Sequence, residues 1–276
     1  MRCHIWALST VLLVLTLQNA QAEPSKYVRQ LLGSNACSEC DLRYAELTGA
    51  ELANANLAGA YMVGARLARV DLSGADLTSA LLMQADLPRV DLTGAILSKS
   101  DAEGANLYAA TLFKAELAFA NLRGVDLTES ELSYANLAAS DFTGAILDAS
   151  FLSFTNARNA NLTGASMRRV RIDRAVLDNA RMQAVDLTEA RALSVRFVGA
   201  DLRRSTLRDA DLSYSHFGNA DLSAANLSGA DLTGADFRGA SLRGADLSGA
   251  QTGSALFDGA DLCGATMPNG AVNQCL

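Results

Sequence analysis

Cysteines are the residues whose type and spacing most directly suggest chemistry. Cys37 and Cys40 form a C-x-x-C pair, and Cys263 and Cys275 lie near the other end of the chain. A C-x-x-C pair can be a redox centre or half of a zinc site, and in an oxidising compartment it can be a structural disulfide. No βα pattern and no other metal-ligand residues surround the pair, which favours the structural interpretation.

The other polar residues do not indicate a catalytic centre. His216 is the only histidine after residue 22, and it lies near Tyr214, Asp211 and Asp236 in the sequence. The chain lacks the G-x-S-x-G, P-loop and H-E-x-x-H motifs. Repeated aspartates could bind Ca²⁺ weakly, but their spacing matches neither an EF-hand nor a nonapeptide calcium repeat. We therefore expect no enzyme activity, no metal and no other cofactor.

Residues 1–22 are typical of a secretory signal. A short positive start precedes the apolar run 5–17, and Ala20-Gln21-Ala22 matches a cleavage site. The run is shorter than the ~20 residues that span a bilayer. We expect an exported protein, in the periplasm or another extracytoplasmic compartment, with no transmembrane segment after cleavage. An uncleaved N-terminal anchor is the alternative.

Composition narrows the class of protein further. The chain has 276 residues and a net charge of −7, and half of its residues are apolar although only 6% are aromatic. The apolar share argues against intrinsic disorder. The acidic balance argues against direct nucleic-acid binding by neutralisation of phosphates.

A five-residue repeat carries all of these residues. From Leu42 to Met267 every fifth residue is Leu or a substitute; of these 46 positions 32 are Leu, and only four are not large and apolar. The exceptions are Ala102, Ala157, Ala192 and Thr252. Two residues before each of the 46 positions stands a small residue, mostly Ala, and the residue directly before each position is usually Asp, Asn or Glu.

The repeat excludes a helix and a flat strand. Five residues turn an α-helix by about 500°, so the leucines would spiral around it. An odd period would put successive leucines on opposite faces of a strand. A bend once per unit keeps every leucine inside. Phe197, Phe217, Phe237 and Phe257 recur every 20 residues, which predicts four units per coil and stacked coils.

The unit A-[D/N]-L-[S/T]-G, as in Ala230 to Gly234, resembles the pentapeptide-repeat proteins. This resemblance implies an all-β fold: a right-handed quadrilateral β-helix of about 11 coils, roughly 55 Å long at ~4.8 Å per coil. We expect an N-terminal cap at residues 23–39, repeats at 40–267 and a tail at 268–276. Some members of the family are acidic, DNA-shaped rods that bind DNA gyrase.

Both ends of such a rod need covering, because open coils would template edge pairing. Residues 25–33 predict a short capping helix that ends at Gly33 and has Tyr27, Val28, Leu31 and Leu32 on its apolar side. The tail should cover the other end less completely.

The cysteines can pair in only one way on such a rod. The two ends are about 50 Å apart by the coil spacing, and a disulfide needs Cα atoms within ~7 Å. We predict Cys37–Cys40 and Cys263–Cys275.

A surface patch in the middle of the rod is the candidate partner site. With 20 residues per coil, four of its residues fall in one column and four on the same face, and they combine aromatic rings with cations. Tyr, Phe and Arg are enriched in interfaces. The column contains Lys114, Tyr134, Phe154 and Arg174, and the face adds Phe113, Phe151, Arg171 and Arg191. Relaxed selection on an over-stable rod is the alternative explanation of the patch.

The sequence therefore predicts a non-enzymatic extracytoplasmic scaffold or protein-interaction module with an unknown protein partner. Self-association is a further possibility, since arginines between acidic ends could attract a second rod. The alternative is a DNA-mimicking, topoisomerase-binding rod, which the acidic charge would suit. Export argues against that alternative because gyrase is cytoplasmic.

Overall fold

The computed structural model describes residues 25–275, so the predicted signal at 1–22 lies outside the described residues. The described part begins with one helix, α1, at Lys26–Ser34. The side chain of Ser25 accepts the Val28 N–H at its start, as N-cap residues do.

Helix α1 differs from the sequence prediction in two details. It does not end at Gly33, because Asn35 takes the left-handed conformation that ends the helix, with φ 55°, and donates its N–H to the Leu31 carbonyl. Asparagine is one of the few residues that adopt this conformation readily. Leu32 was expected on the apolar side but is 56% exposed, whereas Val28 and Leu31 are buried.

Residues 36–266 form a coil whose successive turns stack 20 residues apart. Parallel one-residue bridges join such pairs along the whole range, from Ala36↔Asn56 to Asp246↔Thr266. Each strand of the solenoid is therefore a single bridge, repeated four times per coil. We number the four sides in chain order from residue 41: side 1 contains 41–45, side 2 contains 46–50, side 3 contains 51–55, and side 4 contains 36–40 and 56–60.

Each unit of five residues bends the chain in the same way. Asp41 is in the bridge position, Leu42 in the core position, Arg43 in the outer position, Tyr44 in the left-handed position and Ala45 in the small position. The Ala45 N–H closes the turn on the Leu42 carbonyl at 3.1 Å. Every residue in the left-handed position from 39 to 264 has a positive φ, which glycine adopts most easily.

Core and small positions line the interior, as the repeat predicted. Leu77, Leu117 and Leu162 are buried to at least 97%. Backbone groups pair with the coils above and below; Leu77 N–H, for example, donates to the Ile96 carbonyl at 2.7 Å. The register derived from the sequence is therefore confirmed.

Two interruptions of the leucine column are accommodated differently. Beside Ala157 the core contains a small cavity of about 10 Å³, which is lined by Leu137, Leu177 and other, mostly apolar side chains. Beside Ala192 a hydroxyl enters the turn instead. Ser215 Oγ donates to the Ala192 carbonyl at 2.6 Å and accepts the Val195 N–H at 3.0 Å.

The C-terminal tail closes only part of the last coil. An antiparallel bridge joins Thr266 to Val272, and Gly264 N–H donates to the Asn273 carbonyl at 2.9 Å. On the opposite sides of this coil Thr252 and Phe257 remain half-exposed. The structure thus agrees with a tail that covers its end incompletely.

Both predicted cysteine pairs lie at bonding geometry. The Cα atoms of Cys37 and Cys40 are 5.3 Å apart, and those of Cys263 and Cys275 are 4.6 Å apart. The first pair closes the turn after α1 and the second holds the tail against the last coil, so each disulfide fastens one end of the rod.

Candidate interaction surface

The aromatic and basic residues singled out in the sequence all lie on side 3. We call them the aromatic–cation strip. Their positions follow from the unit: three occupy the bridge position, four the left-handed position and one the outer position. The strip comprises Phe151, Arg171 and Arg191; Lys114, Tyr134, Phe154 and Arg174; and Phe113.

Three rings of the strip contact one another along the rod axis. The Tyr134 and Phe154 rings are stacked, with centroids 4.9 Å apart and planes 4° from parallel. Phe113 meets Tyr134 edge-on, at 5.5 Å and 74°. The spacing of the stacked pair is close to the coil repeat, because the same position of successive coils carries both rings.

Cations lie on rings at both ends of this row. Arg174 Cζ is 5.5 Å from the Phe154 centroid, and Lys114 Nζ is 5.2 Å from the Phe113 centroid. Arg171 lies over the fourth ring, Phe151, at 5.7 Å. Such cation–π pairs hold extended side chains in place at exposed sites.

The strip is accessible, with one exception to the sequence expectation. Tyr134 is 51% exposed, Phe154 42% and Phe151 36%. Phe113 was expected to be exposed but is half-buried, because it packs against Tyr134 and beneath the Lys114 ammonium group. The exposed rings do not contribute to the leucine core.

Arg191 lies in the bridge position of the strip but has a different environment. Its Nε donates to Asp173 Oδ2 at 2.9 Å, and its bridge neighbours on side 3 are Arg171 and Asp211. Among the described residues, Arg171, Arg174 and Lys114 have no carboxylate within 4.0 Å. The strip therefore keeps a positive charge that is not neutralised within the rod.

Several other arginines of this zone are paired with carboxylates. Arg158 and Arg196 share Asp178, and Arg168 bonds Asp148.

Aspartates in the bridge position accept hydrogen bonds from backbone N–H groups. Asp71 and Asp211 each accept the N–H of the residue two later, at 2.9 and 3.2 Å. Hydrogen bonds from Arg203 lower the pKa of Asp201 to about 2. Through their backbone hydrogen bonds, Asp71 and Asp211 contribute to the turns that follow them.

The structure does not assemble His216 into a site. Its bridge neighbours on side 4 are Arg196 and Asp236, whereas Asp211 lies on side 3. Within residues 25–275 no group of three metal-ligating side chains comes together, and no helix is long and apolar enough to cross a membrane.

Sequence reasoning missed a second apolar surface, on side 1. Tyr61 and Leu81 occupy successive bridge positions, and Val63 and Met83 occupy successive outer positions. Tyr44, which is 74% exposed, borders them. The signal was present in the sequence: two adjacent coils place apolar residues where the repeat is otherwise polar.

Four sides, five-residue units and a covered end define this chain as a repeat solenoid. The family model for pentapeptide repeats matches eight copies, which together cover nearly all of the described residues. The chain therefore belongs to the pentapeptide-repeat family. The copies match residues 37–74, 71–108, 110–148, 135–173, 151–183, 186–223, 215–251 and 240–275.

Several solved structures of pentapeptide-repeat proteins are similar to this chain. HetL, a pentapeptide-repeat protein involved in heterocyst differentiation regulation from the cyanobacterium Nostoc, is 27% identical, with a TM-score of 0.57 over 91% of this chain and 100% of its own. A thylakoid-lumen pentapeptide-repeat protein of Arabidopsis thaliana is 32% identical over 36% of this chain and 66% of its own, with a TM-score of 0.29. QnrB1, a plasmid-mediated fluoroquinolone resistance protein, is 20% identical over 65% of this chain and 92% of its own, with a TM-score of 0.33.

No curated protein matches the chain. The family and the HetL likeness identify the fold as the right-handed quadrilateral β-helix that the sequence predicted.

Proposed function

We propose that this protein is a non-enzymatic, extracytoplasmic interaction module that binds a protein partner through the aromatic–cation strip. The observation that carries the proposal is the row Phe113–Tyr134–Phe154, which is ended by Lys114 and Arg174. Large rings cost stability in the left-handed position, where non-glycine residues are disfavoured by about 1–2 kcal/mol. Binding would offset that cost.

The arrangement of the rings favours a protein partner over a nucleic acid. Bases bind to aromatic side chains by stacking on open ring faces. Here Tyr134 and Phe154 cover one face of each other, and Arg174 lies over Phe154. Because the stacked rings turn their edges outward and ring edges are electropositive, the strip suits a surface that combines carboxylates with apolar groups.

The DNA-mimicking alternative rests on the acidic columns of the sequence. Asp201 and Asp221 are stacked on side 1, but both carboxylates already have partners there. Arg203 donates to Asp201 at 2.6 Å and its Nε lies 3.6 Å from Asp221. This pairing supports a structural role for the column and makes the strip the stronger candidate.

A capture experiment tests the proposed surface. The triple substitution Phe151→Ser, Phe154→Ser and Arg174→Glu should abolish capture of partners by crosslinking in the extracytoplasmic fraction. A matched control changes one exposed ring on another side, Phe119→Ser on side 4, which is 63% exposed. The control should capture the same partners as the wild type. Unchanged capture by the triple variant would refute the proposal.

Export can be tested independently of binding. Residues 1–22 have the composition of a secretory signal. A fusion of the N-terminal segment to an enzyme that is active only outside the cytoplasm should be active, and a fusion that lacks residues 1–22 should be inactive. Equal inactivity of both fusions would refute an extracytoplasmic role and revive the cytoplasmic alternative.

A further inference from the structure

Side 3 separates its charges into blocks along the rod. Its bridge column begins with Glu51, Asp71 and Asp91, continues beyond Phe151 with Arg171 and Arg191, and ends with Asp211, Asp231 and Gln251. Glu51, Arg171 and Arg191 are exposed, and Asp71 and Asp91 are half-exposed. The stretch from residue 51 to residue 191, with acids at one end and cations at the other, is complementary to its own reverse.

An antiparallel copy places that reverse column opposite. A two-fold axis in the plane of side 3, perpendicular to the rod, reverses the coil order and keeps each column facing itself. When the axis passes midway between Thr111 and Glu131, Asp71 faces Arg171 and Glu51 faces Arg191. Thr111 then faces Glu131, so no like charges oppose each other in the bridge column.

The left-handed column fits the same register by size. Phe154 faces Gly94, which has open space where a side chain would lie, and Arg174 faces Gly74, over which the Asn54 amide oxygen lies. Lys114 faces Tyr134, a cation against an aromatic ring. Phe154 therefore meets a gap and Arg174 meets a polar group, and the strip extends from the centre of the overlap to one end. Eight coils would overlap, about 38 Å at the coil spacing.

We infer that the aromatic–cation strip binds a second copy of this chain, with side 3 against side 3 in antiparallel orientation. The inference rests on the proposed function, since it requires the strip to be an interaction surface. The acidic block of the copy binds Arg171 and Arg191, and the open position at Gly94 receives the Phe154 ring. Opposite charges at the rim also make the association sensitive to salt.

Complementary charge reversals test the register. One variant carries Arg171→Glu and Arg191→Glu, and the other carries Glu51→Arg and Asp71→Arg. In sedimentation equilibrium at low salt the full-length wild type should be dimeric, and each variant alone should have a dissociation constant raised at least tenfold. An equimolar mixture of the two variants should recover the dimer, because both sets of pairs become complementary again. A circular dichroism spectrum of each variant checks that it folds.

Crosslinking gives a second readout that does not depend on charge. In the proposed dimer, the cysteines introduced by Ser133→Cys in the two copies are one coil apart along the rod. The cysteines introduced by Ser73→Cys are five coils apart, about 24 Å. A short bismaleimide should therefore link the first variant and leave the second monomeric. Preferential linking at Ser73, or a mixture that stays monomeric, would overturn the antiparallel register.

The two proposals fail in different ways. If the wild type is monomeric at all concentrations but the strip variant still loses a captured partner, the self-association is wrong and the proposed function stands, with an acidic surface of another protein as the occupant. If the strip variant changes neither dimerisation nor capture, both proposals are wrong.

Discussion

Two aromatic ladders run along this rod at almost the same spacing, one inside and one outside. Inside, Phe197, Phe217 and Phe237 stack at 4.9 and 4.7 Å with planes 9° and 3° from parallel. Outside, Tyr134 and Phe154 stack at 4.9 Å and 4°. The inner rings are fully buried, whereas the outer rings are 51% and 42% exposed.

The difference between the ladders comes from the position within the five-residue unit. The inner rings occupy the core position and the outer rings the left-handed position. The coil repeat stacks whatever it carries in either position, so ring stacking alone does not indicate a role. Burial assigns the inner ladder to stability, and exposure beside unpaired cations makes the outer ladder the proposed binding surface.

The largest expected effect is the loss of a ring from the inner ladder. Phe217→Ala should lower the free energy of unfolding by about 3–5 kcal/mol, because it removes a fully buried ring and leaves a cavity between two others. Urea denaturation followed by circular dichroism measures the loss.

The matched control is Phe217→Leu, which restores the residue most frequent at core positions of this repeat. It should lose much less stability, since the leucine refills most of the space. Equal losses for Ala and Leu would show that ring stacking, rather than filled volume, dominates the inner ladder and would weaken the contrast between the ladders.

The second effect is a pH dependence of stability that arises in the coil of the inner ring Phe237. Arg238 binds both carboxylate oxygens of Asp236, at 2.8 and 2.7 Å, and these hydrogen bonds lower the pKa of Asp236 to about 2. A lowered pKa in the folded state stabilises the fold above the unfolded pKa, and this stabilisation is lost as the pH falls through the folded pKa.

Asp236→Asn tests this dependence. The difference in Tm between wild type and variant should be largest near neutral pH and shrink between about pH 4 and pH 2. The double variant Asp236→Asn with Arg238→Gln controls for the unpaired arginine. A difference that is constant over this pH range would show that the carboxylate contributes nothing through its charge.

The third effect concerns the outer ladder and should be small for stability. Phe154→Ala should cost about 0.5–1.5 kcal/mol, because it removes an exposed ring pair with Tyr134 and a cation contact with Arg174. The alanine variant should nevertheless lose binding through the strip. Unfolding as large as that of Phe217→Ala would place the outer ring in the core and invert the contrast.

The sequence was sufficient for the interior and for the columns of the surface. Leu at every fifth residue and a 20-residue recurrence of Phe and Val define the side, coil and column of each residue. For that reason Lys114, Tyr134, Phe154 and Arg174 could be placed in one column. Regular stacking converts sequence distance into spatial distance, which few folds allow.

Side-chain conformations were beyond the sequence. The pairing of Arg191 with Asp173 and the half-burial of Phe113 depend on rotamers chosen among several neighbours. Ser215 entering the turn at Ala192 depends on a missing leucine one coil away. The end of α1 at Asn35 rather than Gly33 reflects a choice between two residues that both permit helix termination.

The smallest expected effect separates two buried serines, one of which directly precedes the strip residue Phe151 in the chain. Ser150 Oγ donates to the Leu147 carbonyl at 2.5 Å, while Ser100 Oγ is the buried side-chain oxygen without a partner within residues 25–275. Ser150→Ala should cost about 0.5–1.5 kcal/mol for the lost hydrogen bond.

Ser100→Ala is the matched control and should be neutral or stabilising, because it removes a hydroxyl that is desolvated without compensation. Both changes delete the same atom from the same position of the unit, so urea denaturation of the pair isolates the hydrogen bond. If Ser100→Ala destabilised as much as Ser150→Ala, the two hydroxyls would be equivalent, and the turn beside the strip would be no different from the turns elsewhere.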